Sequence, residues 1–145
     1  MYRFKLEALL NHRRHQEEVH QKELAEVNRK LIYEQKKLRT KKKEKRRYLH
    51  KLQEKQQKST TVRDIVLYMN YLAKLSNEIE EQHHRVYTAG KKVEQTRAAL
   101  LTIVKKRKIL ERLKQREWAI HQQKMKSDER KLMDEIASAR HVRKA

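Results

Sequence analysis

Two pairs of histidines have a residue type and a spacing that could support metal binding. His12 and His15 stand three residues apart, and His83 is followed directly by His84. Residues three apart share a helix face, so His12 and His15 could hold one metal ion between them. The chain has no cysteine, no third ligand converges on that pair, and His83 and His84 point to different helix faces. We therefore interpret the histidines as solvated surface and predict no metal site.

Catalytic and cofactor motifs are missing from the sequence. It contains no GxxxxGK[ST] phosphate loop, no GxGxxG, no HExxH and no GxSxG. Long helices also build no deep pocket in which an acid or base could be desolvated and its pKa tuned. We predict that the chain is not an enzyme and takes no cofactor or small-molecule ligand.

A basic run, Lys36 to Arg47, reads KKLRTKKKEKRR and holds nine Lys and Arg in twelve residues. The whole chain carries a formal charge of +20, which attracts acidic proteins, nucleic acid or a lipid leaflet. No aromatic side chain interrupts the run, which argues against a base-stacking surface. If the two halves of the chain pair as antiparallel helices about a turn near residue 60, Glu78, Glu80 and Glu81 lie opposite residues 39–42. We therefore expect part of this positive charge to be matched inside the protein.

The composition leaves helix as the one economical structure. The chain of 145 residues has no proline, one glycine and 40% charged residues, which cannot supply the frequent turns that a sheet requires. No apolar run is long enough to span a membrane, and the N-terminal residues lack the apolar core of a signal peptide. We expect an all-α, cytoplasmic protein.

Two apolar stripes with the 3-4 spacing of a coiled coil divide the chain. The first runs from Leu6 to Leu52 and the second from Ile65 to Leu110, and between them lies a polar stretch in which Thr61 and Asp64 have helix-capping spacing. We predict one coiled-coil domain over 1–145, with helix 1 at about 3–57, a turn at about 58–63 and helix 2 at about 64–143.

A turn near residue 60 makes facing residues add up to about 120 if the helices are antiparallel. The facing pairs predicted on this basis are Leu10 with Leu110, Val27 with Val93, Tyr48 with Leu72, Leu52 with Tyr68 and, unfavourably, Arg13 with Arg107. Tyr71 falls off the seam and is expected to be exposed at the turn. The fold predicted is a long antiparallel two-helix coiled coil, a helical hairpin with an overhanging C-terminal helix.

The overhang begins near residue 118 in this register and still carries an apolar face. Its apolar residues are Met125, Leu132, Met133, Ile136, Ala139 and Val142. An apolar helix face without a partner in its own chain usually meets another protein. The sequence therefore predicts a protein-binding function.

Four segments together resemble the flagellar export proteins of the FliJ family. They are the opening F-x-L-E-x-L-L-x-x-R from Phe4 to Arg13, the pattern Y-x-x-Y-L-x-x-L-x-x-x-I-x-x-Q from Tyr68 to Gln82, KILERLK at 108–114 and ERKLMDEIA at 129–137. The segments are short, but they cover nearly the whole chain in the family's order. The resemblance implies a coiled coil similar to the shaft of rotary ATPases.

The resemblance also implies partners. The end with both termini would enter a hexameric flagellar export ATPase, and the opposite end would approach a membrane export-gate protein, with substrate chaperones as further partners. By position, the ring contacts would be Leu6, Leu10, Arg13, Leu132, Ile136 and Arg140, and the gate contacts Tyr48, Tyr71 and Leu75. A monomeric hairpin at the inner face of the membrane near the flagellar base is then expected.

Two other interpretations share parts of this pattern. A basic coiled-coil adaptor or nucleic-acid-associated protein would dimerise in trans or bind DNA with strong salt dependence. The equivalent stalk of a virulence type III secretion system would share every physical feature of the flagellar stalk and differ in its partners.

Overall fold

The computed structural model describes residues 2–58 and 60–144. Helix α1 spans Glu7–Gln57 and helix α2 spans Val62–Lys144. The two long helices pack against each other and no strand occurs in the described residues, so the structure is an all-α helical hairpin, as predicted. Helix-forming Lys, Glu, Gln, Leu and Arg dominate both helices, and the absence of proline leaves their hydrogen-bond ladders uninterrupted.

The turn is capped by the threonine that the sequence singles out. The Oγ1 atom of Thr61 accepts a hydrogen bond of 3.3 Å from the backbone N–H of Asp64, so Thr61 satisfies one of the donors that the first turn of α2 leaves unpaired. The preceding helix ends with the Lys58 N–H donating to the Glu54 carbonyl at 3.2 Å. Gly90 lies within α2, and its φ is negative like that of its neighbours.

Helix α1 begins at Glu7 rather than near residue 3. Phe4 is buried, and the Glu7 N–H donates to the Phe4 carbonyl at 3.1 Å. The acidic Glu7 in the first turn favours this start electrostatically.

The contacts of the two helices fall into two compact units. The turn unit comprises residues 19–100, and its buried apolar side chains are Leu38, Leu52, Leu72, Leu75, Ala89 and Val93. Its facing pairs include Glu34 with Gln82 and Tyr48 with both Tyr68 and Tyr71, whose numbers add up to about 120, as expected for antiparallel helices.

The terminal unit comprises the described residues of 1–18 and 101–145. Its buried apolar side chains are Phe4, Leu10, Ile103 and Leu110. Ion pairs of Glu7 with Lys114 and of Glu17 with Arg107 join its two helical segments, again in antiparallel order.

Candidate protein-binding surfaces

The C-terminal segment of α2 is uncovered. Every side chain from residue 123 to residue 143 is exposed, although the segment keeps apolar residues at helical spacing. Leu132 and Ile136 are one turn apart and lie on the face that also carries Met125, and Met133 lies beside them. A shallow depression there is lined by Met133, Ile136, Ala137, Arg140 and His141. This segment can offer apolar contacts flanked by cations.

The predicted ring contacts near the N-terminus differ in their exposure. Leu6 is exposed, and Arg13 is half-buried with its guanidinium donating to Gln16 at 2.9 Å. Leu10 is 0% exposed, so it is a core residue of the terminal unit and cannot touch a partner in this conformation. Of the C-terminal candidates, Leu132, Ile136 and Arg140 are all accessible.

An aromatic cluster that sequence reasoning missed closes the terminal unit. The Tyr2 ring meets Trp118 edge-on at 5.2 Å and His121 at the same distance. The Tyr2 hydroxyl donates to the Glu117 carboxylate at 3.4 Å. Desolvation, and to a smaller extent the negative charge of Glu117, raises the pKa of Tyr2. Tyr2 therefore extends the covered part of α2 beyond residue 118, and the uncovered segment begins at Gln123. Tyr2 and Trp118 satisfy the predicted register, which could have revealed the pair.

Arg107, which the sequence places opposite Arg13, pairs with two carboxylates. Arg107 donates through Nε and Nη2 to the Glu17 carboxylate and through Nη1 to Glu111 at 2.9 Å. Arg14 adds a second cation, 3.6 Å from the Glu111 carboxylate. Glu17 lies one helical turn beyond Arg13 on α1. Its carboxylate therefore reaches the Arg107 guanidinium and neutralises that charge at the seam.

The ion network shifts the protonation of its members. Hydrogen bonds to Glu17 and then Glu111 raise the pKa of Arg107. The hydrogen bond from Arg107 lowers the pKa of Glu111 against the opposing effect of desolvation. Both groups are thus held in their charged forms, and the network ties the start of α1 to α2.

Three tyrosines pack together beside the turn. Tyr48 contacts Tyr68 at 6.1 Å and Tyr71 at 4.5 Å between ring centroids. The Tyr71 hydroxyl donates to the Glu44 carboxylate at 2.6 Å, which, with desolvation, raises the pKa of Tyr71 to about 12. Tyr71 is half-buried, so the expectation of an exposed ring was wrong: the ring turns back onto Tyr48. Leu75 is 2% exposed and is a core residue of the turn unit.

The basic run Lys36 to Arg47 is not neutralised as expected. In the part of the chain that the structure describes, no ion pair joins this run to Glu78, Glu80 or Glu81. Glu80 and Glu81 are exposed on α2, and the one acid within the run, Glu44, accepts the Tyr71 hydroxyl. The run therefore presents its charge to the surroundings.

A buried polar pair interrupts the apolar seam of the turn unit. Gln82 is 0% exposed, and its Nε2 donates to the Glu34 carbonyl at 2.9 Å and to the Glu34 carboxylate. The Gln82 Oε1 atom has no partner among the described residues. A polar layer of this kind disfavours other registers, since any shift would bury these groups against apolar side chains.

The described residues form neither a cluster of metal ligands nor a helix that could span a membrane. Within residues 2–58 and 60–144, no group of three or more His, Asp or Glu is placed to hold a metal ion, and His12 and His15 are exposed. Neither α1 nor α2 contains a stretch apolar enough to cross a bilayer over the described residues. The exposed surfaces described above are apolar, aromatic and cationic.

Comparison with known families agrees with that description. The sequence matches the family described as Flagellar FliJ protein over residues 2–145, essentially the whole chain. Comparisons with curated proteins and with solved structures gave no match. Proteins of the matched family are non-catalytic components of the flagellar protein export apparatus. Because the match covers nearly every residue, the chain belongs to the FliJ family of flagellar proteins.

Proposed function

We propose that this chain is a non-enzymatic stalk and adaptor of the flagellar type III export apparatus. It binds the hexameric export ATPase and acts together with a membrane export-gate protein. The proposal rests on the uncovered segment 123–143, the part of α2 whose apolar side chains no other described residue buries.

The ring contact is assigned to Leu132, Ile136 and Arg140, with Leu6 and Arg13 as contacts on the N-terminal side. The two aliphatic side chains would fill apolar recesses in the ring, and the guanidinium groups would meet its acidic lining. Met133 joins this set because it is the most exposed large apolar residue of the depression. Leu10 acts indirectly, by packing the core that positions its neighbours.

The gate contact is assigned to the tyrosine cluster of the turn unit. Tyr48 and Tyr71 keep part of each ring accessible, and aromatic rings offer a large contact area at low entropic cost. Leu75 supports these rings from the core. In this scheme, the chain couples nucleotide-dependent states of the ring to the gate and hands on substrate chaperones, working as a monomeric hairpin peripheral to the inner membrane face near the flagellar base.

A binding experiment with matched variants tests the ring contact. Leu132→Ser with Ile136→Ser removes two exposed aliphatic side chains from the uncovered segment. The control, Leu101→Ser with Ile109→Ser, removes two similarly exposed residues from the part of α2 that pairs with α1. Calorimetric titration of the flagellar export ATPase should show binding weakened about tenfold or more by the first pair and little changed by the control. Equal affinity for all three proteins would refute the assignment.

A further inference from the structure

The turn unit ends in a surface that combines exposed aliphatic side chains with a high density of cations. Val62, Val66 and Met69 lie at positions i, i+4 and i+7 of the first turns of α2 and therefore share one face. Val62 is 77% exposed and Met69 is 57% exposed. This face lies to one side of the seam formed by Ile65, Tyr68 and Leu72. No part of the described hairpin covers it.

The charge around this face is strongly one-sided. Residues 36–69 contain thirteen Lys and Arg against three acids, Glu44, Glu54 and Asp64. Glu44 accepts the hydroxyl of Tyr71, and Glu54 lies 3.9 Å from His50. Lys and Arg therefore outnumber acids by about four to one in this part of the chain.

Aromatic rings with lysines beside them lie on another side of α2, at the same end of the hairpin. A shallow groove is lined by Tyr48, Leu67, Tyr68 and Tyr71. Lys51 lies over the Tyr48 ring at 5.1 Å, and Lys55 lies over the Tyr68 ring at 4.5 Å. Tyrosines with lysines beside exposed aliphatic side chains are the combination that favours the boundary between lipid headgroups and acyl chains.

From this arrangement, we propose that the turn end of the hairpin binds the surface of an anionic lipid bilayer, with Val62, Val66 and Met69 entering the headgroup boundary and the basic run Lys36 to Arg47 contacting lipid phosphates. Nucleic acid supplies the anions but no apolar layer for the aliphatic face. A bilayer supplies both at once, over an area that needs no complementary pocket. The aliphatic face and the basic run that would contact the bilayer are not among the residues assigned to the gate or ring contacts above.

Vesicle binding by the full chain tests the inference without any protein partner. Vesicles of phosphatidylglycerol and phosphatidylcholine in equal parts are compared with phosphatidylcholine alone by co-sedimentation at physiological salt. We expect the anionic vesicles to bind about tenfold tighter or more, because each cation near an anionic surface adds favourable energy.

Two variants remove the proposed contacts separately. One replaces Val62, Val66 and Met69 with Ser, and the other replaces Lys42, Lys43, Arg46 and Arg47 with Gln. The control replaces four exposed cations elsewhere on α2 with Gln, namely Lys105, Lys106, Lys108 and Arg112. We expect each test variant to bind anionic vesicles about tenfold more weakly and the control to change by less than about threefold. Circular dichroism of each variant checks that the hairpin remains helical.

Insertion is measured with a tryptophan placed on the aliphatic face. In a Trp118→Phe background, which removes the single native tryptophan, Met69→Trp should shift its emission to shorter wavelength on anionic vesicles. An equal loss of binding in the control variant, or no emission shift, would overturn the proposal in favour of diffuse charge attraction. Binding to a gate protein without binding to vesicles would also overturn it, because a protein would then be the occupant of this surface.

Discussion

Removing the ion pair between Glu17 and Arg107 should reveal a coupling much larger than that of a surface pair. The side chains of Glu17 and Arg107 are 15% and 21% exposed, and two nitrogens of the guanidinium donate to the one carboxylate. Lys91 and Glu94 form a pair on α2 at 3.8 Å whose side chains are 52% and 72% exposed. The same chain thus provides both the test pair and its control.

The expected magnitude follows from this difference in exposure. Solvated pairs typically contribute 0.2–1 kcal/mol, whereas breaking a fully buried pair costs about 3–5 kcal/mol. Bidentate geometry and partial burial place the coupling of Glu17 with Arg107 at about 2 kcal/mol. We expect Lys91 with Glu94 to show a coupling of at most about 0.5 kcal/mol, because water screens both groups.

A double-mutant cycle measures these couplings. Glu17→Ala, Arg107→Ala and the double variant are unfolded in urea, and the free energies of unfolding are combined to isolate the pairwise energy. The cycle is repeated for Lys91 and Glu94. If the two couplings were equal within about 0.3 kcal/mol, the partly buried, bidentate geometry would not be the reason for the strength of the first pair.

Three further results are expected from urea unfolding and titration. Gly90→Ala should stabilise the protein by about 1 kcal/mol, because a Cβ there meets nothing within 4 Å and φ is not positive. Ala99→Gly, the control at an exposed position of the same helix, should destabilise it by a similar amount. A loss of stability in Gly90→Ala would show that neighbouring atoms crowd the added methyl group. Absorbance titration should show one tyrosine with a pKa of about 12 that disappears in Tyr71→Phe and moves towards 10.0 in Glu44→Gln; an unchanged titration in Tyr71→Phe would contradict the assignment. The lowered pKa of Glu111 contributes stability that is present above its ordinary value of 4.5 and is lost as pH falls through the folded-state pKa. Wild type should therefore lose more stability than Glu111→Gln on acidification, and parallel losses would contradict this.

The hairpin follows from the sequence because its determinants are periodic and local. Two apolar stripes fix the faces of the helices, and Thr61 fixes the start of α2 through a hydrogen bond whose donor is three residues away. The antiparallel register follows from the position of the turn alone. An uncovered C-terminal segment is then unavoidable, since α2 has 83 residues and α1 has 51.

The side-chain detail of the surfaces could not be derived from periodicity. Tyr71 can turn outward or fold onto Tyr48, and the hydrogen bond of its hydroxyl to the Glu44 carboxylate favours the folded-back ring. Arg107 likewise finds Glu17 instead of opposing Arg13, because a long side chain reaches across a full helical turn. Leu10 and Leu75 share the seam spacing of core residues, and assigning them as contacts from their position in the family overlooked that spacing.

The most direct test of the stalk function is ATP hydrolysis and ring assembly by a flagellar export ATPase in the presence of this chain. A variant ending after Gln122 is the informative comparison, because it removes the uncovered segment and keeps the contacts of Tyr2 with Trp118 and His121. We predict that the full chain stimulates both ring formation and hydrolysis, and that the shortened chain, still helical, does not. Stimulation of equal size by the shortened chain, or none by the full chain, would contradict the claim that the uncovered segment engages the ring.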